Sequence, residues 1–89
     1  MRFTMRLDKY LKVSRLIKRR PVAKEACDTG RVTINGKVAK AGTEVKGGAI
    51  IELSYASRQV RARVLEIRET VRKEEATALY EILEGVEIE

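Results

Sequence analysis

The stretch RLDKYLKVSRLIKRR, residues 6–20, combines a helical spacing of apolar side chains with a dense run of cations. Three- and four-residue spacing predicts a helix over about residues 6–17 and places on one of its faces Leu7, Tyr10, Leu11, Ser14 and Ile17. The basic side chains Lys9, Lys12, Arg15 and Arg19 project from the other side. The stretch therefore predicts an amphipathic helix whose free face is positively charged.

A second helix follows the basic run Lys18–Arg19–Arg20. Pro21 suits the first turn of a helix, where its missing N–H has no intrahelical partner to lose. The buried face of this helix is predicted to hold Val22, Ala23, Ala26 and Cys27. Gly30 ends the helix, because glycine takes the left-handed conformation of a C-cap without steric cost.

The pattern then changes from helical spacing to alternation. Asn35–Gly36 is a strong tight-turn signal between the alternating residues Val32, Ile34 and Val38. Further strands are predicted at residues 50–55 and from Val60 to near Ile67, joined by a hairpin loop at 56–59. A last helix is predicted over residues 73–83, with Ala76, Leu79, Tyr80 and Leu83 on one face. The predicted fold class is α+β: two N-terminal helices, a small twisted, mainly antiparallel sheet and a C-terminal helix.

Opposite charges gather at the two ends of the 89-residue chain, whose overall net charge is +6. Residues 1–24 carry nine bases and one acid, a net charge of +8, whereas residues 69–89 carry two bases and seven acids, a net charge of −5. Such polarity steers a polyanion towards the N-terminal end. We predict an N-terminal extension at 1–5, an RNA-binding domain with added strands at 6–68, and a C-terminal helix with an acidic tail at 69–89.

The sequence contains few candidates for catalytic or metal-binding residues. The chain has no histidine, which removes the commonest general base and the commonest metal ligand. Cys27 is the only cysteine, and its place on the predicted buried face favours packing over reactivity. We expect no enzyme activity, no cofactor, no metal and no membrane span, and a reducing, cytoplasmic location fits the single thiol.

The basic helix pair is the candidate site, because rigid arrays of Lys and Arg release counterions when they bind phosphates. The predicted RNA-binding residues are Arg6, Lys9, Lys12, Arg15, Lys18, Arg19, Arg20, Lys24 and Lys37. These cations could instead be an ordinary solvated face, Asp8 could pair with a base, and Tyr10 fits the core better than RNA stacking. A second basic strip at Arg58, Arg61, Arg63 and Arg68 could equally be the outward face of an alternating strand.

Residues 6–54 carry a specific combination, RLD, then Ser14–Arg15, then G-x-V-x-x-N-G at 30–36. This combination resembles the RNA-binding domain named after ribosomal protein S4. The resemblance implies the αL RNA-binding motif, in which the helix pair docks on structured RNA. It also implies that Arg6 and Arg20 contact RNA, with Lys9, Arg15 and Arg19 as neighbours. We expect their side chains to face solvent, so that alanine at Arg6 or Arg20 leaves stability nearly unchanged.

A narrower resemblance rests on residues 6–20 and 24–25 together with KEEA at 73–76 and YEIL at 80–83. These segments are similar to the small stand-alone RqcP family of ribosome-associated quality control, relatives of the ribosome-bound heat-shock proteins of the fifteen-kilodalton class. That resemblance implies binding to large-subunit ribosomal RNA and tRNA on a large ribosomal subunit that still carries peptidyl-tRNA. It also implies RqcH as partner in alanine tailing, with a monomer off the ribosome. A heat-shock-type rescue factor and a protein-binding adaptor are the alternatives.

Overall fold

Two short helices, a 3₁₀ helix and seven antiparallel strands make up the structure, a computed structural model that describes residues 4–55, 58–69 and 71–85. In chain order the elements are β1 (Thr4–Arg6), α1 (Leu7–Val13), α2 (Arg20–Asp28), β2 (Val32–Ile34), β3 (Lys37–Val38), β4 (Glu44–Lys46), β5 (Ile50–Tyr55), β6 (Arg58–Val64), the 3₁₀ helix (Lys73–Leu79) and β7 (Tyr80–Gly85). The strands form a two-stranded ribbon, β1–β4, and a five-stranded sheet in the order β3-β2-β5-β6-β7. The predicted α+β class is confirmed.

The first helix is shorter than predicted and ends at Val13 rather than near Ile17. A straight helix would place Leu16 about half a turn away from Leu7 and Leu11, on the solvent side. The chain instead turns at Arg15, whose φ of 64° lies in the left-handed region, and both Leu16 and Ile17 become buried. Burial of one more leucine side chain therefore outweighs a longer helix.

The second helix and the hairpin that follows match the sequence pattern closely. Pro21 lies in the first turn of α2, and Ala23, Ala26 and Cys27 are buried, whereas Val22 is partly buried. Gly30 has a φ of +75° and ends the helix as predicted. Asn35 and Gly36 both have positive φ, the conformation of a type I′ turn, and join β2 to β3. The Asn35 side chain also accepts a hydrogen bond from the Ile50 N–H at 3.0 Å, which fixes the hairpin to β5.

The predicted C-terminal helix is only partly correct. A 3₁₀ helix spans Lys73–Leu79, but residues 80–83, predicted as its last turn, belong to β7, which pairs with β6. Tyr80 and Ile82 point towards the core while Glu81 and Leu83 are exposed, so the segment follows strand alternation. Pairing with β6 supplies backbone hydrogen bonds along an otherwise open sheet edge, which outweighs the helical spacing of the apolar residues.

Other strands differ from the prediction at their ends. Residues 4 and 5, assigned above to an N-terminal extension, lie in β1, where Met5 pairs with Val45 of β4 and both side chains are buried. β1 and β4 have only three residues each, which is too short for an alternating pattern to be recognised in the sequence. β6 ends at Val64 rather than near Ile67, and Arg58 and Gln59 of the predicted hairpin loop belong to it. Residues 56 and 57 of that loop lie outside the described residues.

Tyr10 connects α1 to the far end of the chain. Its ring is buried and its hydroxyl donates a hydrogen bond of 2.7 Å to the backbone carbonyl of Leu79. The same carbonyl accepts from the N–H groups of Leu65 and Glu66. The interpretation of Tyr10 as a core residue is therefore confirmed, and the helix pair is held rigidly against the rest of the fold.

Candidate nucleic-acid interface

A buried carboxylate lies at the centre of the basic helix pair. The side chain of Asp8, in the first turn of α1, is only 4% exposed. Its Oδ1 accepts the Lys9 backbone N–H at 2.8 Å and the Arg6 Nε–H at 3.2 Å, and its Oδ2 accepts the Arg6 Nη2–H at 3.4 Å. Arg20 Nε lies 3.5 Å from the same Oδ2. Asp8 thus pairs with bases, one of the readings that the sequence left open.

Arg6 and Arg20 are held side by side by this carboxylate. Arg6 is the last residue of β1 and Arg20 is the first residue of α2, so the fold brings the end of β1 close to the start of α2. Their side chains remain 53% and 47% exposed, which leaves guanidinium N–H groups available to a ligand. Both side chains are exposed, as expected, but each also pairs with a buried carboxylate, which argues against the expectation that alanine at Arg6 or Arg20 leaves stability nearly unchanged.

Six further predicted cations are exposed and have no carboxylate partner among residues 4–55, 58–69 and 71–85: Lys12, Arg15, Lys18, Arg19, Lys24 and Lys37. The left-handed turn at Arg15 and the following residues joins the two helices, so that part of the basic run lies in a connection rather than on a helix. Contact between these cations and RNA stays a prediction.

An open groove of about 350 Å³ collects part of the candidate set. Lys9, Lys12, Arg15 and Arg20 line it together with Val13, Glu69 and Val71. The remaining predicted residues do not line this groove, and Lys37 lies on β3. Sequence analysis missed Glu69 and Val71, since no local pattern connects them with a helix that lies 60 residues earlier.

Two arginines of the second basic strip pair with acids. Arg63 Nη1 lies 3.1 Å from Glu81 Oε1, and Arg68 Nη2 lies 3.4 Å from Glu66 Oε1. Arg61 stands in register between Glu52 of β5 and Glu84 of β7. Arg61 and Arg63 are exposed on β6, which favours their reading as the outward face of an alternating strand, whereas Arg68 lies in the segment after β6.

Burial makes the thiol of Cys27, the only cysteine, harder to deprotonate. Cys27 lies inside the core, and desolvation, reinforced by the negative charges of Asp8 and Asp28, raises its pKa to about 11. A protonated, buried thiol is a poor nucleophile. Cys27 is therefore a packing residue, as the sequence predicts.

Comparisons with known proteins agree with this geometry. The S4 domain family matches residues 5–51, which include both helices, the Asp8 cluster and the Asn35–Gly36 turn. The "RQC P-site tRNA stabilizing factor" of Halalkalibacterium halodurans is 58% identical over 88% of this chain and 89% of its own length. The protein of the same name from Bacillus subtilis is 52% identical over 89% of this chain and 92% of its own length.

The solved structures include a relative with the same fold. The trimeric structure of Vibrio cholerae Heat Shock Protein 15 superposes with a TM-score of 0.82 at 32% identity, covering 89% of this chain and 81% of that chain. The two RQC factors are more similar in sequence, at 58% and 52% identity against 32%, and the match covers more of their own length, 89% and 92% against 81%. The chain belongs to the S4-domain proteins and, among them, to the family of RQC P-site tRNA stabilizing factors.

Proposed function

We propose that this chain is a non-enzymatic cytoplasmic factor that binds large-subunit ribosomal RNA and peptidyl-tRNA on obstructed large subunits. It supports alanine tailing of stalled chains together with RqcH and is a monomer off the ribosome. The observation that carries the RNA-binding part is the set of six exposed cations without carboxylate partners in the described ranges, together with the half-exposed Arg6–Arg20 pair. The role in quality control is supported by the name of the relatives at 58% and 52% identity.

The geometry favours phosphate as the group that is recognised. Guanidinium groups match phosphate oxygens with two parallel hydrogen bonds, and Asp8 holds two of them at a defined spacing. The described helix pair exposes no aromatic side chain on which a base could stack and no Asn or Gln that could read an adenine edge. Recognition therefore depends on the shape of a folded RNA and the placement of its phosphates.

Arg15 and Arg19 test the RNA-binding surface without disturbing the core. Replacing both by alanine should weaken binding to large subunits and to tRNA. It should also reduce the slope of log K against log salt by about 0.7 to 0.9 for each lost phosphate contact. The melting temperature should stay nearly unchanged, because both side chains are exposed and have no described carboxylate partner. The measurement is filter binding or sedimentation at several KCl concentrations.

A matched control removes the same charge from two arginines that already pair with glutamates. The double variant Arg63→Ala/Arg68→Ala also lowers the net charge by two, yet both arginines are paired with glutamates outside the helix pair. It should bind nearly as the wild type does. Equal losses in the two double variants would mean that binding follows total charge and would contradict a defined surface on the helices.

A second candidate function is a heat-shock-type rescue factor that repositions stranded tRNA on the same subunit. The superposition on the Vibrio cholerae protein, with a TM-score of 0.82, favours it. A deletion strain separates the two functions, since loss of C-terminal alanine tails on stalled chains supports quality control and unchanged tails support rescue. Capture of tagged protein with and without nuclease then tests whether RNA is the ligand, because an adaptor for proteins would keep its partners after RNA is digested.

A further inference from the structure

The segment between β6 and the 3₁₀ helix forms one wall of the groove on α1. Glu69 lies in this segment, and its carboxylate contacts the ammonium group of Lys9, which is 33% exposed. Val71 follows two residues later and lines the same groove, as does Val13. An acidic side chain from the C-terminal part of the chain thus reaches into the most basic part of the surface.

The lining of the groove is matched to an anion. Four cations and one carboxylate surround about 350 Å³ of open space, so the groove keeps a net charge of +3 with Glu69 in place. Arg20 meets Asp8 through Nε, which leaves its two Nη groups for another acceptor. Lys12 and Arg15 have no carboxylate partner in the described part of the chain. A carboxylate and a phosphate offer these donors the same kind of acceptor oxygens.

We infer that this groove is a phosphate-binding subsite for the RNA backbone and that Glu69 occupies its Lys9 corner in the free protein. This inference rests on the proposed function, and it adds that the Glu69 carboxylate competes with RNA phosphate for Lys9. An RNA phosphate that enters the groove must displace the Glu69 carboxylate from Lys9. Since exposed ion pairs are weak, displacement lowers RNA affinity by a small factor, and removal of the carboxylate recovers it.

The test compares two neutralised glutamates of one segment in binding to purified bulk tRNA. Glu69→Gln should tighten binding about two- to fivefold beyond Glu66→Gln. Glu66 is the matched control because it lies three residues away, is similarly exposed and also pairs with a cation, Arg68, which does not line the groove. The excess should vanish when both changes are measured in a Lys9→Gln background, since the Lys9–Glu69 ion pair is then absent from every variant compared.

The outcomes separate this inference from the proposed function. Equal tightening by Glu69→Gln and Glu66→Gln, or an excess that persists in the Lys9→Gln background, would overturn the subsite while leaving RNA binding intact. Failure of the wild-type protein to bind tRNA at any salt concentration would overturn the proposed function and the subsite with it. Glu69 is half-exposed, so thermal melting should show that its variant folds as the wild type does.

Discussion

The double variant Arg6→Ala/Arg20→Ala is expected to lose stability and RNA affinity together. Both guanidinium groups compensate the Asp8 carboxylate, which is 4% exposed and would keep only the Lys9 backbone N–H. Because both arginines are half exposed, their removal also admits water to Asp8, and we expect a cost of about 1 to 3 kcal/mol in the free energy of unfolding. Two phosphate contacts are lost at the same time, so the salt slope should fall by about 1.4 to 1.8. Urea unfolding and tRNA binding at several salt concentrations measure the two effects.

A third substitution separates the two roles. Adding Asp8→Asn to the double variant removes the buried charge, so most of the lost stability should return while RNA affinity stays low. The Arg15→Ala/Arg19→Ala variant, with the same change of net charge, should lose affinity alone because neither arginine meets a buried carboxylate. Full stability in the Arg6→Ala/Arg20→Ala variant would contradict the structural role of the pair.

Helical and strand periodicity predicted the parts of this fold that are determined locally. Gly30 and the Asn35–Gly36 turn have the positive φ angles that their residue types favour, and each was found from the sequence. The end of α1 could not be found in this way. The helical spacing continues to Ile17 and gives no sign that the chain turns at Arg15, although it would place the buried Leu16 on the solvent face of the helix. Tertiary burial decided that boundary.

The C-terminal segment shows the same limit more strongly. Tyr80 and Leu83 fit a helical face together with Ala76, yet Tyr80 and Ile82 also fit a strand, and only the open edge of β6 selects the strand. Short apolar segments satisfy both periods, so their local pattern does not choose between them.

The candidate site, like the fold, could be predicted from the sequence only in part. Charge density alone indicated the basic helices, and the resemblance singled out Arg6 and Arg20. The contacts that give these residues different roles are not local: Asp8 joins residues 6 and 20, and Glu69 reaches Lys9 across 60 positions. Sequence analysis therefore found the surface but not which cations are paired and which are free to bind.

Stability is expected to fall steeply at alkaline pH, and the reason is the same burial that makes Cys27 inert. The folded protein raises the pKa of this thiol from an ordinary value near 9 to about 11, so the folded state holds the proton more tightly than the unfolded state does. The contribution to stability is therefore complete below pH 9 and is lost as the pH rises towards 11, by roughly 3 kcal/mol in total. Burial also raises the pKa of Tyr10 above its ordinary value, with the neighbouring Tyr80 adding to the shift, which extends the loss above pH 10.

Substitutions of Cys27 and Tyr10 test which of the two buried groups causes the loss of stability at alkaline pH. Urea unfolding from pH 7 to pH 11 should show a nearly constant free energy up to pH 9 and a decline above it. Cys27→Ala should flatten the decline between pH 9 and pH 10, whereas Tyr10→Phe should reduce it above pH 10 and lower stability at all pH values, because the hydrogen bond to Leu79 is lost. The surface charges are the same in every variant, so the difference from wild type isolates each buried group. A decline of unchanged size in both variants would show that neither Cys27 nor Tyr10 causes the alkaline loss.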